Sequence, residues 1–253
     1  MSTPVFQQLD HQPSAIGDIS LRRRRYPVTG ERDIYEVKLG DEFLMSSLFV
    51  EAEVALAELG LKAVAGDQLQ VVVGGLGLGY TARAALDCER VVSLRVVEYL
   101  QPVIDWHRQG LVPLGPELTG DPRCTLVCGD FFALATEPDQ AFDADFPDRR
   151  YDAILLDIDH TPEALLDPAN ARFYGRDGLR AMAHQLKPEG VFGLWSDAAA
   201  DERFLQALRA VFREVQDHEI RFANPFTGGE ASNRIYIAQG TLKNEGDINA
   251  TAV

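Results

Sequence analysis

Four stretches of this 253-residue chain carry side chains able to do chemistry, and each follows a run of apolar residues. Asp157-Ile158-Asp159-His160 places two carboxylates and an imidazole after residues 151–156. A carboxylate there can orient an amine nucleophile or stabilise its positive charge, and His160 can take a proton near neutral pH. The plainer reading is that Asp159 caps a helix while His160 faces solvent. Glu98 closes the run 91–97, about twenty residues past a glycine cluster, where a carboxylate can accept both hydroxyls of a ribose. Asp130 follows Gly129 after the run 124–128 and precedes Phe131-Phe132. Its carboxylate can accept from an adenine amino group with the Phe131 ring stacking nearby. It can also cap a short helix, and the two roles are compatible.

The fourth stretch is Val71-Val72-Val73-Gly74-Gly75-Leu76-Gly77-Leu78-Gly79-Tyr80. A β-branched run stops at glycines, and a helix-like segment, 81–86, follows. Without Cβ atoms, Gly74, Gly75, Gly77 and Gly79 let the chain turn tightly and let a ligand approach the backbone. The helix start adds unpaired N–H groups and a positive dipole end. Gly75, Gly77 and Gly79 read G-x-G-x-G. The dinucleotide fingerprint G-x-G-x-x-G needs its third glycine at Tyr80, which argues against NAD and FAD. The spacing fits the glycine loop of class I S-adenosylmethionine (SAM) enzymes. The alternative is an ordinary strand-to-helix turn.

These residues need a scaffold. From residue 69 onward, strand and helix patterns alternate, the signature of a doubly wound parallel sheet. Strands are expected at 69–73, 91–97, 124–128, 151–156 and 191–195, and helices at 102–109, 173–186 and 201–215. Lys187-Pro188-Glu189-Gly190 reads as a turn, and 139–150 as an acidic surface loop. Two late strands, 218–223 and 234–238, form a hairpin at the sheet edge. In such sheets ligands bind beyond the carboxyl ends of the strands, where Glu98, Asp130 and Asp157 all fall. The N-terminal part divides into a flexible tail at 1–15 and a small β region at 16–45, with strands at 18–26 and 33–39. Arg22 to Arg25 alternate faces in the first of these and read as a charged edge, or else as a subunit contact. A helix over 48–64 opens the Rossmann-like domain, 46–239, and residues 240–253 read as a disordered tail.

The totals narrow the function. There are 39 acidic and 24 basic residues, a net charge of −15. That balance disfavours nucleic acid and anionic membranes as partners. It suits a small cationic substrate, although solubility alone also explains it. Cys88, Cys124 and Cys128 do not make a disulfide framework. The five histidines are scattered, so no metal is expected. No signal peptide or membrane-length apolar run is present, which makes the cytoplasm the expected location.

Taken in order, Val73-Gly74-Gly75, Gly79-Tyr80-Thr81, Glu98, Gly129-Asp130 and Leu156-Asp157 resemble the spermidine synthase-like branch of class I SAM-dependent transferases. Asp41-Glu42-Phe43 is similar to that family's T-R-D-E-F segment. Phe173-Tyr174 is similar to its E-F-Y segment, and Leu186 to Gly190 to its L-K-x-G-G turn. The resemblance implies a Rossmann-like SAM-methyltransferase fold, α/β, with a mostly parallel seven-stranded sheet, a C-terminal antiparallel hairpin and a small N-terminal β-hairpin domain. It implies Glu98 on the ribose, Asp130 on the adenine, the Gly75–Gly79 loop at the sulfonium tail and Asp157 as the active-site acid. It also implies a homodimer or higher homo-oligomer.

The departures from the family matter equally. Aminopropyltransferases carry an acid in G-G-G-D-G-G that faces the ammonium of decarboxylated SAM and repels the carboxylate of SAM. Here Leu76-Gly77-Leu78 has no acid. The family's D-x-x-D-P becomes Asp157-Ile158-Asp159-His160-Thr161-Pro162, so the second acid has shifted to Asp159 or been replaced by His160. The Tyr-His pair after D-E-F is absent. Losing a like charge beside a ligand carboxylate removes a penalty of several kcal/mol in a partly buried site. The sequence therefore points to methyl transfer from SAM to a small-molecule acceptor, an amine among the candidates. Aminopropyl transfer from decarboxylated SAM to a diamine, and an inactive nucleoside-binding relative, are the alternatives.

Overall fold

A computed structural model describes residues 6–242. The chain opens with four antiparallel strands, β1 (Phe6–Ser14), β2 (Gly17–Arg24), β3 (Ile34–Leu39) and β4 (Glu42–Ser46), paired in that order. Helix α1 (Glu51–Ala63) leads to β5 (Leu69–Gly74), α2 (Tyr80–Asp87), β6 (Val91–Glu98), α3 (Gln101–Arg108), α4 (Gly115–Gly120) and β7 (Cys124–Cys128). Then come α5 (Phe131–Thr136), β8 (Tyr151–Leu156), α6 (Arg176–Ala183), β9 (Leu186–Ser196), α7 (Glu202–Arg209), β10 (Phe212–Asn224) and β11 (Gly229–Thr241).

The second sheet has seven strands in the order β10-β11-β9-β8-β5-β6-β7. Strands β5 to β9 run parallel, while β11 is antiparallel to β9 and to β10. Both faces of its middle strands are covered, which explains their unbroken apolar runs. Val71 and Val73 pack on one face with Leu56, Ile104 and Trp106, while Val72 packs on the other with Phe131, Ile154 and Phe192. That division is the two-residue period of a strand. The chain leaves β5 toward β6 and β7, then returns to build β8 on the other side. The switch point therefore lies between β5 and β8, where a ligand crevice forms.

Several expectations are corrected by the structure. Residues 6–14 are not a loose tail. They form β1, and Trp106 Nε1 donates to the Asp10 carboxylate at 2.6 Å, tying β1 to α3. Residues 1–5 and 243–253 lie outside the described residues, and so does most of the expected C-terminal tail, of which Gly240 and Thr241 belong to β11. Arg22 to Arg25 do not mark a sheet edge, because β2 lies between β1 and β3. Arg24 sits over Phe6 and Tyr26, and Arg25 bonds Asp33 at 2.5 Å. The strand β4 and the helix α4 were not anticipated.

The segment 139–150 is more than a surface loop. Phe142 and Asp143 are buried, and Asp143 pairs with Arg95 and, at 2.8 Å, with Arg149. The helix expected at 173–186 is shorter and follows a 3-10 turn, Pro168–Arg172. Lys187 to Gly190 belong to β9, where the pairing with β8 jumps from Tyr151↔Leu186 to Ala153↔Val191. The anticipated turn is thus a bulge inside the strand. The helix expected to reach residue 215 stops at Arg209, and β10 begins at Phe212.

Candidate active site

The carboxyl ends of β5, β6, β7 and β8 open onto one cavity of about 370 Å³. Gly75, Gly77, Glu98, Asp130, Phe131, Asp157 and His160 all line it. Gly74, Gly79 and Asp159 do not line it. Gly75 has φ +92, and a Cβ there would collide with the Asp157 carbonyl oxygen. That close approach is what the switch point demands of its first loop residue. Gly74 packs against the Phe131 ring, and Gly79 starts α2 in the left-handed conformation. Beneath the loop, buried His107 holds the Gly77 carbonyl at 2.9 Å, and burial pushes its pKa down.

Glu98 is buried at the end of β6. Its Oε2 accepts from the Leu76 N–H at 3.0 Å and its Oε1 from the Leu100 N–H at 2.8 Å. Burial raises its pKa, while the N–H groups of Leu100, Leu76, Gly77 and Tyr99 pull it down. A carboxylate offers about four acceptor positions, of which the Leu76 and Leu100 amides at these distances take two. Asp130 caps α5: its Oδ1 accepts from Phe132 N–H at 2.9 Å and Ala133 N–H at 3.3 Å. Its Oδ2 is left for a ligand. Phe131 is only 2% exposed, wedged among Phe132, Phe142 and Phe173. Its ring serves the core more than an open stacking face. Tyr99, 49% exposed and on the cavity wall beside Glu98, is the freer aromatic surface.

Asp157 lies at the floor, its Oδ2 accepting from the Thr81 hydroxyl at 2.7 Å. Burial raises its pKa to about 6, against the pull of Thr81. Glu53, on α1, lines the same cavity and was not anticipated. Burial, and then the Asp157 charge, raise it to about 8. Ionising both acids would place two like charges on one cavity wall, so each makes the other's ionisation costlier. Sequence reading passed over Glu53 because an acid in the first turn of an amphipathic helix looks like a surface residue.

Asp159 and His160 part company. Asp159 is 2% exposed and turned into the following loop. It accepts from Leu166 N–H at 2.7 Å, Tyr174 hydroxyl at 2.7 Å and Asn170 Nδ2 at 3.4 Å. That is neither a helix cap nor a cavity group. His160 reaches the cavity rim, where Nε2 lies 3.1 Å from Glu42 Oε1 and Nδ1 lies 3.9 Å from Asp197 Oδ2. Strand β4 thereby touches the loop after β8.

Six carboxylates line the cavity: Glu53, Glu98, Asp130, Asp157, Asp167 and Asp197. Among the described residues no Lys or Arg side chain lines it. Nor does any group of three or more His, Cys, Asp or Glu side chains among them form a metal-binding cluster. No helix there is long and apolar enough to cross a membrane.

No family model matches the chain. Solved structures do. A spermidine synthase from Thermotoga maritima superposes with a TM-score of 0.68 at 18% identity, covering 95% of this chain and 75% of that one. A spermidine synthase in complex with the transition-state analogue AdoDATO gives 0.68 and 18%, covering 95% of this chain and 76% of that one. The fold is therefore that of spermidine synthase-like class I SAM-dependent transferases.

Proposed function

We propose that this chain is a spermidine synthase-like transferase that moves an aminopropyl group from decarboxylated SAM to an amine. The carrying observation is the charge of the cavity: six lining carboxylates, with no lysine or arginine facing them among the described residues. A sulfonium donor with an ammonium tail, and an amine acceptor, both suit such a site. The carboxylate of SAM does not. The glycine-loop amides that might receive it are already engaged: Gly75 N–H with Val97 O, Leu76 N–H with Glu98, Leu78 N–H with Met45 Sδ and Gly79 N–H with Leu76 O. The loop lacks an acid, but Glu53 brings one from α1. This shifts the balance from methyl transfer, the expectation from the loop alone, to aminopropyl transfer. The AdoDATO-bound spermidine synthase is a neighbour in fold and agrees with that choice.

In this reading Glu98 holds the ribose, Asp130 the adenine amino group and Tyr99 one face of the base. Decarboxylated SAM supplies a carbon already activated by positive sulfur. The acceptor nitrogen attacks that carbon, the C–N bond forms, and the C–S electron pair leaves with sulfur as a neutral thioether. The nitrogen gives its proton to the Asp157–Glu53 pair, whose raised proton affinity suits that task near neutral pH. Alignment does the rest.

Calorimetric titration with decarboxylated SAM and, separately, with SAM tests the donor. Tighter binding of decarboxylated SAM, with thioether nucleoside released when an amine is added, is the expected result. Preference for SAM would restore methyl transfer, the reading favoured by Leu76 and Leu78. Binding of neither by folded protein would leave a nucleoside-binding relative without this chemistry.

A further inference from the structure

The strand order divides the cavity at Asp157. Gly75, Glu98 and Asp130 lie on its β5-β6-β7 side, while Trp195, Phe222 and Asn233 belong to β9, β10 and β11 on the other. Three contacts orient Asp157, and all come from the single segment 74–81. The Asp157 N–H donates to Gly74 O at 2.8 Å. The Asp157 carbonyl oxygen lies where a Cβ on Gly75 would stand. The Thr81 hydroxyl donates to Oδ2 at 2.7 Å. The first two fix the backbone, and only the third acts on the side chain. Thr81 is 3% exposed, sits in the first turn of α2 and does not line the cavity. A threonine in a helix commonly turns its hydroxyl back onto a carbonyl of the preceding turn. This one crosses instead to the end of β8. Asp157 lines the cavity, and its Oδ1 has no hydrogen-bond partner among the described residues.

Resting on the transfer reading, in which Asp157 takes the proton, we infer that Thr81 is a positioning residue: its hydroxyl holds Oδ2 and so presents Oδ1 to the acceptor nitrogen. A hydroxyl has one proton to give. It satisfies one oxygen, stops the carboxylate from turning, and favours the ionised form that can take a proton. It also works against burial, which pushes the Asp157 carboxyl up. The other acids and the imidazole on the cavity are Glu53 from α1, Glu98 from β6, Asp130 after β7, Asp167, and His160 and Asp197 beyond β8 and β9. A change at Thr81 leaves all of these in place, so it isolates the effect of the hydroxyl. The segment that receives the donor thereby also aims the proton acceptor.

Thr81→Val keeps the shape of the side chain and removes the hydroxyl, and Thr81→Ser restores it. Two readouts are taken on the full chain. The first is turnover of decarboxylated SAM with 1,4-diaminobutane as a function of pH. Thr81→Val is expected to lower kcat and to move the acid limb of the profile up by about one pH unit, the scale of one hydrogen bond to a charged group. KM for the donor is expected to change little, because Thr81 does not line the cavity. Thr81→Ser is expected to return the profile to that of the unaltered protein. The second readout needs no turnover: the carbon NMR signal of the Asp157 carboxyl, identified by its loss in Asp157→Asn, is titrated. Its midpoint is expected to rise by the same amount in Thr81→Val and to stay in place in Thr81→Ser. Thr81→Ala repeats the loss with a smaller side chain, so a folding failure of Thr81→Val leaves a second variant to decide. An unchanged carboxyl midpoint in a folded variant without the hydroxyl, or a shift that Thr81→Ser does not reverse, would overturn the inference. Absence of turnover in the unaltered protein, with the midpoint shifted as expected, would instead overturn the aminopropyl reading and leave the hold of Thr81 on Asp157 standing.

Discussion

The two halves of the cavity are assembled by different means. One half, proposed to hold the nucleoside, hangs from the ends of three adjacent parallel strands, each with a cavity-lining group immediately after an apolar run: Gly75 after β5, Glu98 at the end of β6 and Asp130 after β7. The other half, proposed for the acceptor, is gathered from α1, β9 and the β10–β11 hairpin, and its groups have no common local context. The first half is fixed by backbone geometry. The second depends on how distant elements pack, and is where members of one fold can diverge.

Variants on the dividing line and on either side of it can break this comparison. Asp157→Asn has the largest expected effect: turnover falls by about a thousandfold, the scale of a lost proton acceptor, while circular dichroism is unchanged. Similar losses from residues on either side would deny Asp157 its central place. Glu98→Ala is expected to weaken donor binding by about a hundredfold, since charge-assisted hydrogen bonds of ~1.5–3 kcal/mol are removed. Calorimetry checks this, and unchanged affinity would refute the ribose assignment.

Asp159→Asn tests whether adjacency in sequence means adjacency in role. Its three loop partners predict a stability loss of ~2 kcal/mol, about 6 °C in Tm, with residual turnover more than tenfold above that of Asp157→Asn. Equal loss of turnover in the two variants would sink the distinction.

The smallest effect concerns pH. Glu53 and Asp157 bind protons more tightly in the folded chain than in the unfolded one, because burial raises both. Their contribution to stability is therefore most favourable at low pH, and is lost as pH rises from the ordinary carboxylate range through about 8. Glu53→Gln removes one of the two titrating groups and is expected to raise Tm by about 3 °C at pH 9 relative to the unaltered protein, with little difference at pH 5. An equal change at both pH values would show that Glu53 does not hold its proton more tightly in the folded chain.

How far the sequence reveals each half follows from the same contrast. Strand ends 98, 128 and 156 were readable because β-branched and apolar runs stop abruptly at polar groups, and the parallel architecture gives those stops a meaning. Glu98, Asp130 and Asp157 stand on the cavity as their positions required. Asp159 and His160 share the same local signal, yet one turns into the loop and the other to the rim. That choice is made by Tyr174 and Leu166 on one side and Glu42 on the other, through contacts that no local pattern encodes. Glu53 and Asn233 were invisible for a related reason: an acid on an amphipathic helix and a polar residue on a late hairpin strand look the same whether or not a cavity lies against them. The register of β1 was hidden by its polar composition, since the Trp106–Asp10 bond across 96 residues helps to hold it.

Met45 carries a consequence for how such proteins change over generations. Its thioether leaves β4, fills the space beside Gly77 and accepts the Leu78 amide at 3.1 Å. A replacement N-terminal sheet borrowed from another chain would have to deliver a side chain of the same reach, or leave that amide unanswered and the glycine loop unsupported. The small sheet and the loop would therefore have to be exchanged together, and a recombination boundary drawn between them separates two parts of one device.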